Sequence, residues 1–343
     1  MKKKIITIVG GGSSAHALIP FINSQHREIN ILTSRPNEWN KKVKVQWQNS
    51  QGNVIKAFTG NLSNKYSHPK YIIPNSDIII FCMPVHKYRI ALNNIAKFIN
   101  KEKDVTIGTM YGQGGFNWMV KEIKQKFKLK RITTFAIGLI PWVCRIKEYG
   151  KIGITYGPKS LNIVTFDNIE RFYTFEDIFH DMCYKWFGKG MFKISNNFIS
   201  LTLSVDNQII HPSRLFAMYQ KNKGKWDNKD DVPLFYKDYD DYSAEILKVL
   251  DDDYSSIRKK IIEFYKEHNF KYMLDYLSLE RLSYNSANQN IKESFVSSQT
   301  LGTIKTPVIK KIINGKLTQI IDFFMMIFTM DYASQNGLPQ VLK

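Results

Sequence analysis

The stretch Lys4-Ile5-Ile6-Thr7-Ile8-Val9-Gly10-Gly11-Gly12-Ser13-Ser14-Ala15-His16 begins as a β-branched apolar run and ends in small residues. The run predicts a buried strand. Apolar residues at helical spacing (Ala15, Ala17, Leu18, Phe21, Ile22) predict a helix over Ser13–Ser24, directly after it. Gly10-x-Gly12-x-x-Ala15, set between a strand and a helix, has the form of a dinucleotide-binding turn. The first glycine permits the tight turn, the second lets backbone approach a pyrophosphate, and the small third residue lets helix and strand pack closely. The helix N-terminus then aims free N–H groups at the phosphates. The competing reading is a glycine-rich turn with no ligand.

Outward from this turn the pattern repeats. Glu28–Thr33, Asp77–Met83, Val105–Met110 and Ile132–Ile137 read as strands. Helices are expected from about His86 to Ile99 and after Gly112-Gln113-Gly114-Gly115. Val43–Trp47 and Val54–Phe58 flank Asn49-Ser50-Gln51-Gly52 as a hairpin. Alternating β and α elements imply a doubly wound parallel sheet. Short strand-like pieces follow between Gly150 and Phe166, then a helix over roughly Asn168–Phe187. Beyond about Asn196 the strand signals almost vanish. The expected organisation is an α/β, Rossmann-type domain over residues 1–195 and an all-helical domain over 196–343.

Composition narrows the class. The chain has 343 residues with 43% hydrophobic content, enough for two cores. No stretch approaches the roughly 18 apolar residues of a membrane helix; the best run, Ile320–Met330, contains Asp322. Met1-Lys2-Lys3-Lys4 lacks a following apolar segment of secretory length, so no leader is expected. Three widely spaced cysteines (Cys82, Cys144, Cys183) offer no Cys-x-x-Cys pair, which argues against a disulfide framework or zinc site and for a reducing, cytoplasmic setting. The net charge is +19, from 49 Lys+Arg and 30 Asp+Glu. The lysines are scattered rather than striped, so a nucleic-acid partner is not expected, while the positive field favours anionic small molecules.

The end of the second strand bears on the cofactor. A site for NAD usually offers a carboxylate there to accept from the ribose hydroxyls. This chain has Thr33-Ser34-Arg35, two hydroxyls and a guanidinium that suit a 2′-phosphate. NADP is favoured and NAD stays open. The expected cofactor contacts are Gly10, Gly12, Ser13, Ser14, Ala15, Thr33, Ser34 and Arg35, with Met83 and Pro84 at the end of a later strand.

In the second part, Ser195-Asn196-Asn197 caps a helix that runs into Asn207-Gln208-Ile209-Ile210-His211-Pro212. His211 beside a proline and near the domain boundary could face a cleft, or be a partly buried histidine with a carbonyl partner. Three strings together, Gly10-Gly11-Gly12-Ser13-Ser14-Ala15-His16, Ile140-Pro141-Trp142-Val143-Cys144-Arg145 and Asn207–His211-Pro212-Ser213, resemble the octopine/nopaline dehydrogenase family in order and rough spacing. The resemblance spans both parts of the chain. It implies a Rossmann domain followed by a helical domain. It also implies opine dehydrogenase chemistry: an amino acid and a pyruvate-like α-keto acid condense to an imine, which NAD(P)H reduces.

On that resemblance His211 is the general acid/base, since an imidazole titrates in the useful range. Asp322 is the carboxylate that orients it; a lone acid in an apolar run is costly unless paired. Gln113, Cys144, Asn207 and Lys316 match substrate-side positions. The chain departs from the family where an Arg is expected five residues before Asp322: Leu317 stands there, with Lys316 beside it. The alternatives are a ketopantoate- or hydroxyacid-type NADP reductase and a dinucleotide-binding sensor without catalysis. The former usually carries a Lys on the first helix of its second domain, and Ile199–Arg214 has none. Monomer and homodimer both stay open.

Overall fold

The computed structural model describes residues 3–298, 301–302, 304–313 and 316–321. They fall into two compact units. One is the chain up to Leu203 with two short returns, Glu267–Met273 and Ser283–Asn285. The other comprises Ser204–Lys266, Leu274–Leu282 and the chain from Ser286.

In the first unit, β1 (Lys4–Val9), α1 (Ser13–Phe21), β2 (Arg27–Leu32), β3 (Lys42–Gln48), β4 (Val54–Asn61), β5 (Asn64–Tyr66), β6 (Ile78–Phe81), α2 (Tyr88–Ala96), β7 (Val105–Thr109), α3 (Phe116–Phe127) and β8 (Ile132–Ile137) follow in order. The hairpin β9 (Trp142–Glu148) and β10 (Ile152–Pro158) comes next, then β11 (Leu161–Phe166). The main sheet runs β12-β11-β8-β7-β6-β1-β2-β5, where β12 is Met191–Ile194. Strands β5 through β8 are parallel, and β11 reverses against β8. This is the expected doubly wound sheet. Its strands are apolar on both faces because both are covered. Val9, Ile79, Phe81 and Ile107 pack toward α2 and α3 on one side. Ile6, Ile8, Ile31 and Ile80 pack toward α1 on the other.

A second sheet, β4-β3-β10-β9, lies over α1. The β3–β4 hairpin was legible, but its parallel pairing to β10 was not. Two glycines allow the approach. A Cβ on Gly60 would stand 2.5 Å from the Ile19 carbonyl oxygen, and one on Gly153 would stand 2.9 Å from the His16 Cβ. Where one helix was expected over 168–187, the chain makes three short ones, α4 (Glu170–Thr174), α5 (Glu176–Met182) and α6 (Tyr184–Phe187). The aromatic, β-branched text has weak helical preference, so core contacts of Phe172, Phe175 and Phe179 decide its path. α7 (Phe198–Leu203) closes this stretch. Asn197 caps it by accepting from the Ser200 amide at 2.9 Å.

The second unit is mainly helical: α8 (Asn207–Asn222), α9 (Asp241–Phe264), α10 (Tyr276–Tyr284) and α11 (Ile291–Val296). The expected continuous helix breaks between α7 and α8, where Asp206 leaves helical geometry at φ −132, ψ −87. A small antiparallel sheet is added to the helices: β13 (Lys225–Trp226), β15 (Lys316–Ile321) and β14 (Val308–Ile313). β14 is largely exposed, while the latter part of β15, Thr318–Ile321, is buried. Among the described residues no helix is long and apolar enough to cross a membrane.

Gly108, in the middle of β7, faces the Phe135 ring of the neighbouring strand. A Cβ there would meet Phe135 Cε1 at 2.0 Å. Gly108→Ala should therefore overpack the sheet and lower stability by about 1–3 kcal/mol, read as a fall in the urea midpoint at unchanged slope.

Candidate functional site

The geometry of the glycine loop follows from steric exclusion. Gly10 takes φ +105, which L side chains rarely adopt, and a Cβ on it would stand 2.6 Å from the Cys82 carbonyl oxygen. Its amide donates to the Leu32 carbonyl at 2.9 Å, tying the turn to the end of β2. Gly12 is the N-cap of α1 and supplies no side-chain cap. The first turn of α1 thus presents backbone N–H groups and the positive end of the helix dipole at the loop. Ser14 is buried and its hydroxyl bonds the Cys82 thiol. Burial, resisted by that bond, pushes Cys82 up to about 12, so it stays a neutral thiol. Ala15 is fully buried under the helix.

Beside the loop is a cavity of about 530 Å³. Of the predicted cofactor contacts, Gly10, Thr33, Ser34, Arg35 and Met83 line it. Gly12, Ser13, Ser14 and Ala15 form the adjoining turn and helix start. Pro84 caps a short helical turn beyond β6. Tyr149, Ser67, Lys87 and Asn94 also line the cavity. Sequence reasoning missed these, and no spacing could have flagged Tyr149, which lies more than a hundred residues from the glycines. The Arg35 guanidinium sits 3.7 Å from the Tyr149 ring centroid and 3.3 Å from a Glu38 carboxylate oxygen.

His16, in the fourth position of α1 after Gly12, is fully buried. Its Nε2 accepts from the Gly150 amide at 2.7 Å, so Nδ1 carries the proton and donates to the Gly12 carbonyl at 2.9 Å. Burial holds its pKa below the usual histidine value, against the raising effect of the Gly12 bond. Gln113 is buried beyond β7 and accepts from the Tyr111 hydroxyl at 2.8 Å. Cys144 is buried in β9, where burial pushes it up to about 11 despite Arg145 and Lys159.

In the second unit His211 is half-buried on the first turns of α8, with exposed Asn207 four residues earlier on the same face. His211 Nε2 lies 3.3 Å from the Tyr236 hydroxyl, and the Phe235 ring meets the imidazole edge-on at 5.4 Å. Three residues after His211, the buried Arg214 guanidinium gathers the 234–243 loop. It donates to the carbonyls of Phe235 (3.1 Å), Leu234 (3.4 Å) and Asp238 (2.6 Å) and to the Ser243 hydroxyl (3.0 Å), and it pairs with Asp240 at 3.4 Å. Burial alone would raise Asp240. Bonds from the Ser243 hydroxyl and amide, with Arg214 nearby, bring it below the usual carboxylate value. Lys316, exposed at the start of β15, pairs with Asp227 at 2.7 Å. Asp322 lies outside the described residues.

Arg214→Met should leave those carbonyls and Asp240 without their common donor. The expected cost is about 3–5 kcal/mol, the range for breaking a buried pair, measured by urea unfolding.

Comparison with known proteins places these parts in a family context. The helical-domain model of the NAD/NADP octopine/nopaline dehydrogenases matches residues 194–314. An opine dehydrogenase of Haliotis discus hannai is 28% identical over 279 residues, covering 76% of this chain and 66% of that enzyme, just under two thirds of its length. A solved octopine dehydrogenase with NADH and L-arginine superposes with a TM-score of 0.75 at 16% identity, covering 98% of this chain and 86% of the other. A yersinopine dehydrogenase with NADP+ bound gives 0.64 at 10% identity, covering 97% and 85%. The chain thus resembles the octopine/nopaline dehydrogenase family in sequence and in fold.

Proposed function

We propose that this protein is an NAD(P)H-dependent opine dehydrogenase that joins an amino acid to a pyruvate-like α-keto acid by reductive condensation. The observation that carries the reading is the uncapped N-terminus of α1, which follows Gly10 at φ +105 in a loop whose Gly10 and Gly11 line the cavity beside β2. That arrangement fits a pyrophosphate and its ribose, because the glycines keep Cβ atoms out of the turn and the helix start offers backbone donors. The family likeness supplies the use: the relative from Haliotis discus hannai is an opine dehydrogenase, and the neighbours hold NADH or NADP+.

The dinucleotide, when bound, supplies the hydride that reduces the imine carbon. Gly10 and Gly12 would let its phosphates approach the backbone, and the first amides of α1, at Ser13 and Ser14, would hold them. Thr33, Ser34 and Arg35 meet the adenosine ribose, with Met83 and Pro84 alongside. His211 moves the protons that imine formation and reduction require at nitrogen and at the departing oxygen. Asp322 orients His211. Gln113, Cys144 as a neutral thiol, Asn207 and Lys316 are proposed on the substrate side.

NADP is the favoured cofactor. Arg35 lines the rim of the cavity and no carboxylate closes β2, where an NAD site would place one. The substrates are small molecules, and a cytoplasmic setting agrees with three reduced, buried cysteines.

The test is a panel of amino acids with pyruvate and other keto acids, following NADPH and NADH oxidation in parallel. Consumption dependent on both substrates is expected, and none across the panel would leave a nucleotide-binding sensor. On the best pair, His211→Ala should cut turnover about 10²-fold or more with cofactor affinity nearly intact; unchanged turnover removes His211 from the mechanism. Arg35→Ala should weaken NADPH about tenfold more than NADH, from loss of a charge-assisted phosphate contact. An equal effect on both cofactors sinks the NADP preference.

A further inference from the structure

The β9–β10 turn reaches the glycine loop from a different sheet, and its contacts there are specific. Tyr149 lines the cavity beside Gly11, so close that a Cβ on Gly11 would stand 2.4 Å from the Tyr149 hydroxyl. The same hydroxyl lies 3.4 Å from Thr33 Oγ1, and the ring carries the Arg35 guanidinium at 3.7 Å. One side chain therefore touches the first glycine turn and both ends of the Thr33–Arg35 segment. The next residue, Gly150, is fixed to α1 by His16. Because a backbone amide can only donate, the imidazole must accept from Gly150 and donate to the Gly12 carbonyl. A single neutral ring thus spans the loop and the turn. It is held in place by Trp39, with ring centroids 4.4 Å apart, and by the Tyr149 ring at 5.5 Å.

We propose that Tyr149 is a specificity-determining wall of the dinucleotide site, and that His16 is the positioning residue that holds it against the glycine loop. The inference rests on the cofactor reading given above and goes beyond it. Stacking on Tyr149 restricts Arg35 to the cavity rim, so less freedom is lost when the guanidinium takes a 2′-phosphate. NADH, which lacks that phosphate, gains little from the stack. His16 acts on both cofactors alike, because it sets the spacing between the Gly12 backbone and the turn.

Dissociation constants for NADPH and NADH, measured by fluorescence titration of the full chain and its variants, test this. Tyr149→Leu should weaken NADPH about fivefold and NADH by less than about twofold, the difference being the lost cation–aromatic contact. His16→Asn keeps a donor for Gly12 but cannot reach Gly150, and should weaken both cofactors by a similar factor. Should that buried variant fail to fold, Gly11→Ala and Tyr149→Phe, singly and together, decide the question. Removing the hydroxyl should relieve part of the affinity lost to the added methyl, a non-additive result. A NADPH/NADH ratio unchanged by Tyr149→Leu, or strictly additive effects in the cycle, overturns the proposal while leaving the cofactor reading intact. Failure of the unsubstituted protein to bind either dinucleotide removes the cofactor reading and the proposal with it.

Discussion

Helix α1 must be buried along its whole length while its N-terminus stays open. Every residue from Ser14 to Phe21 is buried. One side meets the parallel sheet, and the other meets the sheet formed by β3, β4, β9 and β10. A helix covered on both sides cannot spend polar residues freely. His16 is tolerated because both ring nitrogens are bonded, and Ser14 because its hydroxyl finds Cys82. The covering strands come near enough only because Gly60 and Gly153 have no side chains. At the other end of this packing, Gly12 gives α1 no side-chain cap, so the first turn meets the glycine loop with backbone alone.

The second unit solves a different problem with the same accounting. Arg214 is buried, and burial lowers its pKa even as Asp240 and neighbouring groups oppose the change. Its five donors are matched by three carbonyls, a hydroxyl and a carboxylate. The charge is costly in isolation and specific once surrounded. The loop that surrounds it carries Phe235 and Tyr236 to His211 on the preceding turn of the same helix. The order His211-Pro212-Ser213-Arg214 therefore places a titratable ring and the anchor of its surroundings within one turn.

Local features were legible in the sequence: the glycine turn, the apolar strands of the parallel sheet, the hairpin after β2 and the cap at Asn197. Each depends on residues a few positions apart. The pairing of β3 with β10 was not legible, since it joins segments about a hundred residues apart and leaves no mark on either. Tyr149, Gly150 and the partner role of His16 were hidden for the same reason. The β14–β15 hairpin was missed differently. Its strands are short and β-branched, and strand and buried helix are hard to separate in such text. Asp322, proposed to orient His211, is marked in the sequence only by family resemblance and an isolated charge, and it lies outside the described residues.

The proposed preference for NADP turns on a competition at Arg35. Its guanidinium already has a carboxylate at 3.3 Å in Glu38, but both side chains are about half exposed, so the pair is weak and screened. A 2′-phosphate carries up to two charges and three acceptor oxygens, and can take the guanidinium in a two-point grip that a loosely held carboxylate does not match. Contact with the Tyr149 ring is not lost in that exchange, because stacking uses the face of the guanidinium while phosphate binds its edge. Glu38 would then be released to solvent at little cost. On that proposal, a nicotinamide dinucleotide without the phosphate would leave the Arg35–Glu38 pair in place and draw little from Arg35. The proposed preference for the phosphorylated cofactor rests on this asymmetry, even though Arg35 already has a partner.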